Sequence, residues 1–323
     1  MKQTDLYLNA ISVARGDLVE HNDAASLGAP ETNFERIVRK TGVKSRPVAG
    51  RAQYTSDLAC AAARPLLADC PPGQVGTLIV CTQTPDHLIP GVSSRLHGLL
   101  GLPTECLVMD INQGCSGFVL GSQTIVGLQS TFGSDRRAIL VNADTYSRLI
   151  RPEDLATRVL FGDAAAACLF STTPAGLRFR YGRSFADGSG YDAFVAHNSA
   201  LRPDGESSGI HMDGAAILNF ALRAVPDAVR AALDDNGLAA AQIRKFVFHQ
   251  ANSFVTQQLA KKMGLSAEQV PENCRHLGNT VSASIPILLA EQMALFEPGD
   301  LVMAVGFGVG LSWGVALFEY VGA

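Results

Sequence analysis

The amino-acid sequence predicts an α/β protein built from two related halves, and three observations carry that expectation. Short apolar runs of strand length alternate with helical patterns along most of the 323 residues. The order of these elements occurs twice. The strings TLIVCTQT and KFVFHQAN, and likewise RRAILVNAD and GDLVMAVGF, take corresponding places in the two rounds. With 47% apolar and 17% charged residues, the chain has ample material for two domains or one duplicated unit.

In the first half, 77–82 (TLIVCT), 106–110 (CLVMD), 138–143 (AILVNA) and 165–170 (AAACLF) read as buried strands. Helical stretches separate them, among them the alanine-rich 55–69 and 93–100. The segment Asp110–Gly117 (DINQGCSG) reads as a strand end, a tight turn and the start of a helix over 116–129. The turn STTPAG near residue 173 divides a first half, 1–173, from a second, 174–323. There the strand 245–249 (KFVFH) is followed by a helix over 253–263 that Gly264 stops. A helix over 281–295, a strand over 300–305 (DLVMAV), a glycine turn and a strand over 313–320 (WGVALFEY) complete the round. Strands alternating with helices in both rounds imply two α/β layers, each with a mixed sheet.

The bulk properties narrow the functional classes. A net charge of −4 and a pI near 6.0 give no electrostatic footprint for nucleic acid, and no nucleic-acid motif is present. The opening MKQTDLYLNA lacks the layout of a signal peptide, and no apolar run of roughly 18 residues that could span a bilayer is expected. A cytoplasmic protein is expected. Seven cysteines (Cys60, Cys70, Cys81, Cys106, Cys115, Cys168 and Cys274) are odd in number and form no C-x-x-C pair, so neither zinc nor a disulfide framework is expected. Most sit in apolar strings and read as small buried hydrophobes.

Cys115 differs in its neighbours. It stands between Gly114 and Gly117 at a helix start, where the backbone can turn sharply and a substrate can come close. An unperturbed thiol has a pKa of roughly 8.5, and a helix N-terminus or a nearby imidazole lowers it. A buried structural cysteine at a strand–helix junction fits the same local string. His249 closes a strand and begins His249-Gln-Ala-Asn252, whereas His21, His87, His97 and His197 fall in polar or loop contexts. A lone histidine at a strand end also fits a satisfied core or surface residue. Asn279, after a glycine and before a helix, suits a turn or cap as well as a site. If a pseudo-twofold axis relates the halves, the helix starts after Cys115 and after Asn279 face each other and form a place for an anion.

The segments Asp110–Gly117 (DINQGCSG), Phe161–Asp163 (FGD), His249–Asn252 (HQAN), Gly278–Thr280 (GNT) and Gly306–Gly314 (GFGVGLSWG) resemble those of the β-ketoacyl-acyl-carrier-protein synthase III family. The resemblance runs from about residue 5 to 320, with the motifs in the family's order and spacing. It implies the thiolase fold, with its α-β-α-β-α layers, and a homodimer. It also implies a ping-pong reaction in which Cys115 is acylated and the acyl group then condenses with a malonyl thioester. His249, from a protonated Nε2, and Asn279 would donate hydrogen bonds to the enolate oxygen. The N–H groups of Cys115 and Val309 would form the oxyanion hole. Acyl-CoA or an acyl carrier protein would be the partner, and no metal or organic cofactor is required.

The chain departs from the family's pattern where the donor is held. Arg36 and Leu155 stand where a tryptophan and an arginine usually clamp the CoA adenine. Ala215 replaces a pantetheine-binding asparagine while Asn252 keeps the other amide. Phe254 replaces an arginine of carrier docking, Lys261 and Lys262 keep the basic positions, and Val309 reshapes the pocket beside the hole. Asn252, Arg36, Phe254 and Ile89 are therefore the expected substrate contacts. The departures favour a donor other than acetyl-CoA, as in secondary metabolism. The alternatives are acyl transfer to an amine, an alcohol or water on the same fold, and a non-catalytic partner subunit.

Overall fold

The computed structural model describes residues 5–132, 136–200 and 208–322. Its strands in chain order are β1 Tyr7–Arg15, β2 Leu18–His21, β3 Ser45–Val48, β4 Val75–Cys81, β5 Leu107–Ile111, β6 Arg137–Asp144 and β7 Ala164–Ser171. They continue as β8 Leu177–Ala186, β9 Phe194–His197, β10 Gly209–Met212, β11 Ile243–Phe248, β12 Leu301–Gly308 and β13 Ser312–Tyr320. Nine of them join in the order β11-β12-β13-β8-β1-β7-β6-β4-β5, while β2–β3 and β9–β10 form separate ribbons.

The pairing directions repeat along this order. From β1 outward, β7 and β6 each pair antiparallel with the strand before, and β4 and β5 then run parallel. From β8 outward, β13 and β12 each pair antiparallel with the strand before, and β11 then runs parallel. The two arms touch through a short antiparallel contact of Tyr7 and Leu8 with Arg178 and Leu177. The inner strands β4, β6, β7 and β12 are buried along nearly their whole length, which is why they read as continuous apolar runs instead of alternating ones.

Both arms pack against the same two helices. Phe118, Val119, Ile125 and Val126 of helix Gly117–Phe132, with Ile285, Leu288 and Leu289 of helix Ser284–Gln292, share one core with Ile79 and Leu140 of the first arm and Val302 and Phe318 of the second. Helices Thr55–Ala63 and Val92–Leu100 cover the other face of the first arm through Leu58, Ala62 and Leu96. Helices Gly214–Asp235 and Ser253–Met263 cover that of the second through Val225, Val229 and Leu259. The result is the α-β-α-β-α layering of the thiolase fold.

Several boundaries differ from the sequence reading. The helix expected over 55–69 is α-helical only to Ala63 and tightens into a 3₁₀ turn over Arg64–Leu67, where Pro65 has no N–H to continue the ladder. The stretch 281–295 divides into a 3₁₀ turn at Val281–Ala283, the helix Ser284–Gln292 and a second 3₁₀ turn at Met293–Leu295. The sequence reading also passes over β1, β8 and the 22-residue helix Gly214–Asp235. Among the described residues no helix is long and apolar enough to cross a membrane.

Candidate active site

The turn that carries Cys115 is held from both sides. Asp110, in β5, accepts from the Val92 and Ser93 N–H groups at 2.6 and 2.7 Å, so it caps helix Val92–Leu100 and ties the strand to it. Gln113 Nε2 donates to Ser116 Oγ at 2.8 Å and also to Ser312 Oγ, and the two hydroxyl oxygens lie 2.8 Å apart. Ser312 Oγ in turn donates to the Val309 carbonyl at 2.8 Å, so the Cys115 turn and the glycine turn after β12 are fastened to each other. Their approach is close. A β-carbon on Gly308 would come within 3.0 Å of Cys115 Sγ, and one on Gly306 within 2.7 Å of Ser116 Cα. On the other side, a β-carbon on Gly117 would sit 3.3 Å from Ser282 Cβ, so the starts of the two central helices meet there.

His249 follows β11, with its N–H bonded to the Val305 carbonyl at 2.8 Å and its ring edge-on to Phe307 at 5.5 Å. Its Nδ1 lies 2.7 Å from Ser284 Oγ. That hydroxyl donates to the Val281 carbonyl at 2.9 Å, so it receives a proton from Nδ1 and leaves the lone pair on Nε2. Burial drives the His249 pKa down to about 3, against the opposing pull of the Val281 carbonyl. The resting imidazole is neutral.

Asn279 is clamped by the Phe161-Gly162-Asp163 segment. Its N–H donates to the Leu160 carbonyl at 2.8 Å, and its carbonyl accepts from the Gly162 N–H at 3.0 Å. Its Oδ1 accepts from the Val281 N–H at 2.9 Å, which leaves the amide nitrogen as the donating end. Val281 itself has φ of 52°, a left-handed conformation that costs a β-branched residue on the order of 1–3 kcal/mol. Asp163 braces the same segment, accepting from the Ala49 and Ser147 N–H groups at 2.8 and 3.0 Å and from the Ser147 hydroxyl.

Cys115, His249, Asn279, Asn252 and Val309 line one cavity of about 160 Å³, whose walls include Tyr146, Phe161, Phe194, Met212 and Phe307. The electrostatics differ from the sequence expectation. Burial first, and the charge of Asp144 second, push the Cys115 thiol well above its ordinary range, so the helix start does not deliver a standing thiolate. Asp144 is itself buried and raised to about 7, although the Gln83 N–H and the Ser282 hydroxyl bond to it at 2.8 and 2.7 Å. A thiol and a neutral imidazole thus face a donating amide in a low-dielectric pocket.

Two family profiles match the chain: 3-oxoacyl-[acyl-carrier-protein (ACP)] synthase III over residues 109–188 and the C-terminal part of the same synthase over 233–320. The chain is 33% identical over 314 residues to the β-ketoacyl-[acyl-carrier-protein] synthase III of Lactococcus lactis subsp. lactis (strain IL1403), covering 94% of this chain and 95% of that one. It belongs to the β-ketoacyl-acyl-carrier-protein synthase III family. Among solved structures, 3-oxoacyl-(acyl-carrier protein) synthase from Burkholderia xenovorans LB400 superposes with a TM-score of 0.92 at 32% identity, covering 99% of this chain and 95% of that one. Synthase III from Thermus thermophilus does so at 0.89 and 34%, covering 98% and 100%.

Within this synthase III family member, the other sequence-selected residues lie at or beyond the rim. Asn252 lines the cavity, yet its Oδ1 is committed to the Val255 N–H at 3.0 Å as the N-cap of helix Ser253–Met263, so only its amide nitrogen remains to donate. Arg36 is exposed on helix Phe34–Thr41, and Leu155 packs beside Phe34 and Val159. Phe254 and Ile89 are 38% and 87% exposed, and neither lines the cavity. Ala215 and the exposed Lys261 and Lys262 lie outside it too. Among the described residues no group of three or more metal-binding side chains is assembled. The sequence reading missed Asp144, Tyr146 and Ser284. For the first two a signal existed: Asp144 ends and Tyr146 closely follows β6, a strand parallel to β4, much as His249 follows β11, and ligands of α/β sheets gather at such carboxyl ends.

Proposed function

We propose that this chain is an acyltransferase that carries an acyl group on Cys115 and joins it to a malonyl thioester by decarboxylative Claisen condensation. The convergence of thiol, imidazole and amide on one apolar cavity carries this reading. In the first stage His249 Nε2 takes the thiol proton as sulfur attacks the donor thioester. The oxyanion falls to the N–H groups of Cys115 and Val309, and the proton leaves with the departing thiol. In the second stage the malonyl carboxylate departs as carbon dioxide, and the enolate oxygen rests on Asn279 Nδ2 and a protonated His249. The enolate carbon then attacks the acyl-Cys115 carbonyl and expels the sulfur. This stage consumes one proton, which on Nε2 of His249 serves the enolate oxygen and then the departing Cys115 sulfur. No step calls on a metal or an organic cofactor.

The partners are acyl-CoA or an acyl carrier protein and a malonyl thioester, with a donor other than acetyl favoured by the altered rim. Arg36, Phe254 and Ile89 act, in this reading, on the outer parts of the donor or carrier. A homodimer is favoured by β5, an apolar strand (LVMDI) at the edge of the sheet and half-exposed throughout, which a second copy would cover. The repeated strand directions support a duplication with its division near residue 173, and the cytoplasm is the proposed location.

Intact-mass measurement after exposure to acyl thioesters, followed by peptide mapping, should place the added mass on Cys115. Addition of a malonyl thioester should then release carbon dioxide. Mass on Cys81 or Cys274 would overturn the nucleophile, and acyl transfer without carbon dioxide would replace condensation by transfer to another acceptor.

A further inference from the structure

We infer that Tyr146 sets the size limit of the acyl donor, restricting it to a compact apolar group of about the dimensions of a benzene ring; this rests on the function proposed above. The cavity that Cys115 and Tyr146 line together measures about 160 Å³. An apolar cavity of roughly 150 Å³ accommodates benzene. Of the aromatic rings that bound it, three pack on one another: Tyr146 stacks on Phe161 with centroids 5.1 Å apart, and Phe194 meets Phe161 edge-on at 6.2 Å. Tyr146 is 3% exposed and belongs to the cluster that packs on Cys115.

The ring is tethered as well as packed. Its hydroxyl donates to Gln83 Oε1, and the Gln83 N–H and Nε2 donate to Asp144 at 2.8 Å and to Asn112 at 3.4 Å. Gln83 itself is pressed against the nucleophile turn, since a β-carbon on Gly114 would fall 2.5 Å from its Oε1. A straight chain much longer than six carbons therefore has to displace a ring that is anchored beside the nucleophile. A flat or branched group of six heavy atoms does not, and an aryl group gains ring contacts with Phe161 and Phe194.

The test is the rate of Cys115 modification, by intact mass, with butyryl-, hexanoyl-, benzoyl-, octanoyl- and decanoyl-CoA. The native protein should accept hexanoyl and benzoyl and take decanoyl at least about tenfold more slowly than hexanoyl, the scale on which a tight apolar pocket discriminates. Tyr146→Leu, and independently Phe194→Ala, should raise the decanoyl-to-hexanoyl rate ratio by about tenfold or more. Tyr146→Phe keeps the ring and loses only the tether, so its ratio should move by no more than about threefold, well inside that discrimination. Equal native rates with decanoyl and hexanoyl, or an unchanged ratio in both opened variants when folded, would overturn the inference and leave condensation standing. If no donor modifies Cys115, the proposed function falls and this inference with it.

Discussion

At the helix start that carries Cys115, glycines let neighbouring backbone come close, and at the one that carries Asn279 side-chain hydrogen bonds secure a left-handed residue. Gly114, Gly117, Gly306 and Gly308 let the Cys115 turn lie directly on β12 and on Ser282, with the thiol left facing the cavity. Around Asn279 the backbone is instead bent into an unfavourable conformation at Val281, which the Asn279 and Ser284 side chains secure. The difference fits the tasks proposed for the two residues. A nucleophile has to be approached, so bulk is removed; a hydrogen-bond donor has to point one way, so orientation is over-determined.

The largest expected effect tests the nucleophile side. Cys115→Ala should abolish acylation and condensation together, a loss on the order of 10⁴-fold or more in turnover, as for removal of other covalent nucleophiles. Residual mass gain on the variant would show that another side chain carries the acyl group.

The donor side should separate the two stages. With Asn279→Ala, condensation should fall by about 100- to 1,000-fold, the usual consequence of losing one oxyanion donor, while self-acylation changes by less than about tenfold. Single-turnover measurement of each stage decides this. Equal losses would mean that the amide also serves the first stage and that the division of labour between the helix starts is false.

A pH profile sharpens the comparison further. Because burial holds His249 near a pKa of about 3, its lone pair stays available well below the ordinary imidazole range. The sign is that of a depressed group: the neutral form dominates above the folded pKa and is lost only as pH falls through it. The acylation rate constant should therefore not fall between about pH 7.5 and about pH 5, where an ordinary imidazole of pKa roughly 6.5 would already have cost about tenfold or more. Protonation of Asp144 near a pH of about 7 also removes a charge that opposes the thiolate. A steep fall below pH 6.5 would show that the thiol and imidazole are more solvated than the burial of His249 implies.

The smallest effect is expected at the rim, where neither kind of constraint operates. With Arg36 exposed and Leu155 drawn into the cluster around Phe34, no planar clamp is assembled from these two positions. An acyl-pantetheine should then acylate Cys115 within about tenfold of the matching acyl-CoA in kcat/KM, since an intact stacking pair is worth roughly 1–3 kcal/mol. A strong preference for CoA would place the nucleotide on other side chains.

The sequence by itself determined the most buried strands and singled out Cys115, His249 and Asn279. Inner strands buried on both faces must be apolar throughout, and runs such as TLIVCT and DLVMAV announce them locally. Cys115, His249 and Asn279 were legible because each stands in a short string of turn and helix-start residues, and the strings occur in a distinctive order. Pieces without such a local signature escaped: β1 and β8 contain polar residues along half-exposed faces, and the break at Val281 depends on what holds it. The protonation of the site was decided only by the tertiary structure. A glycine-flanked cysteine at a helix start reads as an activated thiol, but burial and the nearby Asp144 reverse the direction, and burial likewise leaves His249 neutral. The shape of the cavity was decided there too, since Tyr146, Phe161 and Phe194 come from separate segments and only packing sets their rings side by side. Desolvation and shape depend on every neighbour in space, and those neighbours are scattered along the chain.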